Sequence, residues 1–192
     1  EFHAMPVAAR RMEAHDETLQ PLDIAGVAFF NSDGDGNGPK FGKFFKTLGL
    51  KAFAFYDHKA NRPPEQKASY AASFDIDCEH AYAGFEHLVS EEMPAERLWT
   101  FLSELKASGE SGNVGIPAAK PDEAGIRATA KKALASNKGA GRAARLFDEC
   151  EFDELPTTVV KFLELVYAMF PPPPAIDDDP EAGEQGELPI AP

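Results

Sequence analysis

The stretch that decides the fold is residues 22–59, LDIAGVAFFNSDGDGNGPKFGKFFKTLGLKAFAFYDHK. It begins with a near-continuous apolar run of strand length, residues 22–30, and continues into a turn cluster, residues 31–38. Pro39 suits the first turn of a helix. Apolar side chains then recur at i, i+3, i+4 and i+7, the spacing of one helical face: Phe41, Phe44, Phe45 and Leu48. A second apolar strand follows at residues 51–56, so the stretch predicts strand, helix and strand.

A strand–helix–strand unit with so short a helix is expected to be a right-handed parallel crossover. In open parallel sheets, ligands bind beyond the carboxyl ends of the strands. Asp33 follows the first predicted strand, and Asp57 follows the second. We therefore expect both acids at one edge of the sheet, and this edge is the predicted functional site.

The rest of the chain predicts mainly helices. Their ranges are 1–15, 94–107, 122–136, 139–150 and 156–170. Residues 60–72 are polar and contain two adjacent prolines, so they are predicted as a loop, while residues 73–78 are a short third strand. A parallel sheet calls for a strand before the first helix, and the sequence contains none there. We therefore expect a fragment that was cut within a βαβ unit.

Composition bounds the class of protein. The 192 residues are 43% hydrophobic, enough for a substantial core. Cys78 and Cys150 are too few for a disulfide framework and favour a cytoplasmic location. No apolar run approaches the roughly 18 residues of a membrane span, so no membrane partner is expected. Residues 171–192 begin with four prolines, continue with six acidic residues and no basic ones, and are expected to be a disordered tail.

Charge distribution matters more than the net charge of −13, which by itself argues against binding nucleic acid. Residues 120–145 carry seven basic side chains and only two acidic ones. Lys138 lies in this segment beside glycines at a predicted helix start. Two interpretations of Lys138 stay open: it meets a phosphate or a transition-state charge, or it belongs to a solvated charged face.

Carboxylates that meet at strand ends can hold Mg²⁺ through oxygen ligands. Glu1, Asp57 and Glu86 would form such a site if they converge, whereas any one of them alone is compatible with an ordinary surface acid. Residues 33–38 resemble the start of a calcium-binding loop. Phe44, however, occupies the twelfth position where that loop needs a bidentate glutamate, so calcium binding is rejected.

These segments together resemble the Toprim nuclease domain of the overcoming-lysogenization-defect (OLD) family, the catalytic half of ATP-dependent DNA endonucleases. Residues 1–6, EFHAMP, are similar to the segment after that family's first strand, with Glu1 matching the second glutamate of its motif. Residues 29–41 resemble the second strand, glycine-rich turn and helix, and residues 53–57, FAFYD, the third strand with its metal-binding aspartate. Residues 84–88, GFEHL, resemble a later acidic motif, and residues 137–146 the segment with the active-site lysine.

The resemblance implies an α/β fold, with a small parallel-sheet Toprim (Rossmann-like) core at 1–92 and a helical subdomain at 93–170 that packs partly back on the core. It implies phosphodiester hydrolysis with two divalent ions, Mg²⁺ or Mn²⁺. In the implied site Glu1, Asp57 and Lys138 are catalytic, and Glu1, Asp57, Glu86 and Asp33 bind metal. DNA, a preceding ATPase domain and a second copy in a homodimer are the implied partners. The sequence departs from the family at Lys59, where many Toprim domains have a second aspartate. Either another acid, such as Asp33, Asp75 or Asp77, completes the site, or one metal position is weakened.

Two other functions stay open. A receiver-like signalling domain would use Asp57 as a phosphoacceptor, although the acid pair expected on an earlier strand is missing. A catalytically inactive Toprim interaction module is the other, because of the departure at Lys59.

Overall fold

The computed structural model describes residues 2–34, 36–136 and 141–171. That part of the chain is mixed α/β, with eight α-helices and one two-stranded sheet. The elements, in chain order, are α1 (Ala4–His15), α2 (Gly38–Thr47), β1 (Phe53–Tyr56), α3 (Pro64–Ser73), β2 (Ile76–Glu79), α4 (Phe85–Glu92), α5 (Ala95–Ala107), α6 (Glu123–Ser136), α7 (Arg142–Asp148) and α8 (Thr157–Tyr167).

The two strands are parallel, in a register that pairs Phe53 with Ile76 and Tyr56 with Glu79. The helix that connects them is α3, so the prediction of a loop at residues 60–72 is wrong. Pro64 is tolerated because it occupies the first turn, where its missing N–H has no helical partner. Only one narrow side of α3 is buried, at Tyr70 and Ser73, so the sequence shows little apolar periodicity there.

The predicted strand at residues 22–30 is also absent. Its first half is a turn, in which the Val27 N–H donates to the Leu22 carbonyl (2.8 Å) and Gly26 adopts a φ of 77°. Residues 27–30 alternate between half-buried and exposed, as a strand does, but pair with no strand among the described residues. A strand needs a neighbour for its backbone groups, and this segment has none within the described part of the chain.

Helix α2 forms as predicted but buries the opposite face. Its buried residues are Gly38, Pro39 and Gly42, whereas Phe44 is 54% exposed. A Cβ atom at Gly42 would lie 2.6 Å from the Ser73 carbonyl oxygen, so the glycine lets α2 pack closely on α3. Phe44 is therefore left exposed, whereas Phe41 and Phe45 are half-buried beside Phe30.

The apolar core is formed chiefly by the other helices. Helix α1 packs against α7 and α8, and α4 and α5 pack against α6. Helices α5 and α8, both predicted from the sequence, each bury one apolar face: Leu98, Phe101, Leu102, Leu105, Val159, Phe162, Leu163 and Val166. This buried cluster contains residues from both sides of position 92, and the domain boundary there stays a prediction. No helix in the described ranges has the length and apolarity to cross a membrane.

Candidate functional site

The carboxyl edge of the sheet gathers ionisable side chains from both strands. Asp57 and His58 follow β1, while Glu79 ends β2 and His80 follows it. Backbone hydrogen bonds extend the pairing past the strands: the His80 N–H donates to the Tyr56 carbonyl (3.0 Å), and the His58 N–H to the Tyr82 carbonyl (2.8 Å). Both chain segments are therefore held in fixed positions where these side chains leave the sheet.

Asp57 lies against a buried histidine. His80 Nε2 lies 3.0 Å from Asp57 Oδ1, with the His80 side chain fully buried and the Asp57 side chain 33% exposed. The Tyr82 N–H donates to His80 Nδ1 (3.3 Å), which makes Nδ1 the acceptor and leaves the proton of a neutral imidazole on Nε2. His80 Nε2 thus lies in close contact with one carboxylate oxygen of Asp57, while the Asp57 side chain remains accessible to solvent.

A second carboxylate, Glu79, collects three donors on its Oε1 atom. These are His58 Nδ1 (3.1 Å), the Lys59 N–H (3.3 Å) and Arg62 Nε (3.4 Å). Burial raises the pKa of Glu79, but the Lys59 amide and the Arg62 charge outweigh it, so the pKa lies below its ordinary value. Glu79 is therefore an ionised acceptor that links the ends of the two strands.

Arg62 is the third residue that holds the ends of the two strands in place. Its guanidinium lies over the rings of Tyr56 (4.8 Å) and Tyr70 (5.2 Å), and Nη2 donates to the Asp57 carbonyl oxygen (2.8 Å). The arginine is buried, so it fixes the backbone at Asp57 rather than facing a ligand.

Sequence reasoning found Asp57 but missed Glu79, His80 and Arg62 as its supports. The available signal was the position of Glu79 and His80 directly after the third predicted strand. A histidine that lies beside a carboxylate needs no paired metal-ligand spacing, so such a spacing could not have indicated His80.

Glu86 lies at a helix start and Asp33 in a turn. Because residues 22–30 form no strand, Asp33 does not lie at the carboxyl end of one, as the sequence predicted. Glu86 lies half-buried in the first turn of α4, which begins near β1, since the rings of Phe85 and Phe55 are 6.4 Å apart. Asp33 is exposed, with a φ of 51°, and its N–H donates to Asn31 Oδ1 (3.0 Å). Within residues 2–34, 36–136 and 141–171, no three His, Cys, Asp or Glu side chains are grouped so that they could hold a metal ion.

Two predicted catalytic residues, Glu1 and Lys138, lie outside the described residues. The described arginines of the basic segment are committed to structure. Arg127 Nη1 donates to the carbonyls of Ser90 (2.7 Å) and Glu91 (2.7 Å), near the end of α4. Arg142 is buried, and Arg145 pairs with Glu110 (2.8 Å).

The lysines of this segment differ from its arginines. Lys131 is half-buried and Lys132 exposed on α6, while Lys120 pairs with Glu96. In the described part of this segment, fewer basic side chains are therefore available to bind a phosphate than the sequence suggests.

No family model matches the chain, and neither the curated proteins nor the solved structures contain a match to it.

Proposed function

We propose that this chain is the catalytic part of a metal-dependent DNA endonuclease of the Toprim type, with Asp57 at its site. The observation that supports the proposal is the state of Asp57. It follows a parallel strand at the ligand-binding edge, is one-third exposed, and has one oxygen 3.0 Å from Nε2 of the buried His80. Residues behind a metal-binding carboxylate commonly set its position.

The fit to a divalent ion is partial. Asp57 supplies the oxygen chemistry that Mg²⁺ and Mn²⁺ prefer, and Glu86 begins the helix that packs near the same edge. The described residues alone do not form a complete set of ligands. The proposal therefore requires Glu1 as a further ligand and Lys138 as the cation near the scissile phosphate. A preceding ATPase domain and a homodimer belong to the same proposal.

Phosphate binding would rely on few positive charges. In the described part of the basic segment, Lys131 and Lys132 are the side chains left for solvent on α6, since the arginines bind carbonyls and carboxylates. A chain with a net charge of −13 repels DNA elsewhere on its surface. We therefore expect weak, strongly salt-dependent DNA binding by the chain alone.

The test compares Asp57→Asn with the wild-type chain in Mn²⁺ titrations and in plasmid nicking with Mg²⁺ or Mn²⁺. Asp148→Asn is the matched control, because it removes one exposed carboxylate from the end of α7. We expect Asp57→Asn to remain folded, to lose Mn²⁺ affinity and to lose nicking, while the control keeps both.

Other outcomes would contradict the proposal in distinct ways. Undiminished nicking by folded Asp57→Asn would exclude Asp57 from the site. Labelling of Asp57 by acetyl phosphate, without nicking, would favour the receiver-like domain. A folded wild-type chain that binds no Mn²⁺ and cleaves no DNA would favour the inactive module.

A further inference from the structure

The outer side of α2 exposes a group of large apolar side chains. Phe44 and Leu48 on this helix are 54% and 58% exposed, and Leu50, just after it, is 54% exposed. Phe30, itself 55% exposed, packs edge-on against Phe41 of the same helix (4.7 Å between ring centroids). We call the surface formed by Phe30, Phe44, Leu48 and Leu50 the α2 patch. Exposed apolar side chains grouped in this way are typical of a surface that another segment or molecule covers.

Lysines border the α2 patch, in a chain whose net charge is −13. Residues 36–56 contain four lysines and no acidic residue. Lys46 pairs with Asp75 (3.4 Å). Lys40 and Lys43 are exposed and form no ion pair within the described ranges. The α2 patch therefore fits an occupant that carries both apolar side chains and negative charge.

The chain that follows α8 begins beside this surface. Lys51 Nζ lies 5.1 Å from the centroid of the Phe170 ring and donates to the Met169 carbonyl (3.2 Å). Leu50 and Phe170 line one groove of about 650 Å³ together with Phe30. The residues after Phe170 therefore start at the edge of the α2 patch.

The sequence after Phe170 has the composition that this surface requires. Residues 171–192 contain six acidic residues and no basic ones, and those from 172 onward lie outside the described residues. Three of the acids are consecutive, at residues 177–179, and Ile176 directly precedes them. The segment is thus complementary to the α2 patch in charge, and it brings an apolar side chain next to its densest charge.

The distances along the chain also agree. An extended chain spans at most about 3.3–3.6 Å per residue, so residues 171–176 can cover about 20 Å. Helix α2 has ten residues and is therefore about 15 Å long. The three consecutive acids are thus able to reach the exposed lysines of α2 from the end of α8.

We propose that the α2 patch is the docking surface for the acidic segment of the same chain, residues 175–192. Residues 177–179 pair with Lys40 and Lys43, and Ile176 adds an apolar contact. Each exposed ion pair stabilises the contact only slightly. The segment is tethered beside its site, however, and such tethering corresponds to an effective concentration in the millimolar range, so several weak contacts are enough.

The test measures how fast a small acetylating reagent modifies Lys40 and Lys43 in the full chain and in a chain that ends at Pro174, with mass spectrometry as the readout. Lys161, which is exposed on α8, is the internal control. We expect truncation to speed acetylation of Lys40 and Lys43 by about threefold or more and to leave Lys161 unchanged. Sodium chloride at 1 M, where the Debye length is about 3 Å, should remove most of the difference.

Two further measurements separate docking from a change in the fold of the truncated chain. The free peptide of residues 175–192, added to the truncated chain, should slow the acetylation again, whereas the same peptide with D177N, D178N and D179N should have little effect. In the full chain, a carbodiimide that joins a lysine to a contacting carboxylate should link residues 177–179 to Lys40 or Lys43. In a mixture of isotope-labelled and unlabelled chains, these cross-links should lie within single chains.

Equal acetylation of Lys40 and Lys43 in the full and truncated chains would overturn the proposal. Equal co-sedimentation of both chains with phosphatidylglycerol vesicles would then identify a lipid surface as the partner of the α2 patch. Cross-links found only between labelled and unlabelled chains would overturn the proposal in favour of docking on a second copy. A similar acceleration at Lys161 would also overturn it, because the acidic segment then acts through its general charge. None of these outcomes depends on nuclease activity.

Discussion

Replacing Arg142 with methionine should destabilise the protein without a matching loss of DNA affinity. The Arg142 guanidinium is buried, and its Nη1 atom donates to the Ala133 carbonyl (2.6 Å) and to Ser136 Oγ (2.9 Å). Its Nη2 atom donates to the Glu110 carbonyl. The side chain therefore closes the end of α6 and ties it to the segment after α5.

The magnitude follows from the partners left behind. Methionine keeps most of the aliphatic packing but leaves two carbonyls and a hydroxyl without their charged donor. Each hydrogen bond to a charged group contributes about 1.5–3 kcal/mol. Water can reach part of this site, so we take the lower end for each of the two carbonyls, a loss of about 3 kcal/mol in the free energy of unfolding. For a domain of this size, that loss lowers Tm by roughly 6–12 °C.

Urea denaturation of Arg142→Met, with Lys132→Met as the control, measures the loss. The control removes the same charge from the same segment, but Lys132 is exposed on α6. Its stability should change by less than about 0.5 kcal/mol. DNA affinity at one fixed salt concentration should fall no further for Arg142→Met than for Lys132→Met. If the two variants are equally stable and Arg142→Met binds DNA more weakly, Arg142 is a phosphate ligand and the structural role argued here is wrong.

Three further predictions concern single side chains. Lys138→Met should lower the rate of DNA cleavage by about 10²–10³-fold with little change in DNA affinity, whereas Lys131→Met should mainly weaken DNA affinity. Single-turnover cleavage and equilibrium binding measure the two effects. If the two variants behave alike in both assays, Lys138 is part of a general basic surface. Burial raises the pKa of the Cys150 thiol to about 11, so iodoacetamide at pH 7.5 should modify it only after unfolding; rapid modification in the folded chain would contradict its burial. Burial alone would raise the pKa of Glu79. The Lys59 amide and Arg62 lower the pKa by more than burial raises it, so the folded-state pKa lies below the ordinary value of 4.5. The stability that it contributes is complete above that value and is lost as pH falls through the lower folded pKa. Glu79→Gln should therefore be less stable than wild type at pH 7, and the difference should shrink on acidification; a difference that stays constant would exclude the charge as the cause.

Some elements of the fold could be predicted from the local sequence. Helices α5 and α8 were predicted correctly because a long helix that buries one face repeats its apolar residues every three to four positions. Strand β1 was predicted correctly because it is short, wholly apolar and bounded by Lys51 and Asp57. The position of Asp57 at the strand end followed from β1 alone.

Other elements were decided by their neighbours. Residues 22–30 have the composition of a strand, but a strand exists only when a second backbone pairs with it. No strand in the described part of the chain pairs with this segment. Helix α3 buries little more than Tyr70 and Ser73, so its sequence shows little apolar periodicity. Its packing on α2 at Gly42 can be identified only from the tertiary structure.

The supports of the candidate site belong to this second group. His80 and Glu79 reach Asp57 and Lys59 because β2 pairs with β1 in one register, which no local pattern records. The sequence by itself determined which residues form helices with one strongly apolar face, because that information is carried by neighbours along the chain. Only the tertiary structure decided which carboxylate lies against a buried histidine and which arginines bind groups inside the protein, because those partners are far apart in sequence.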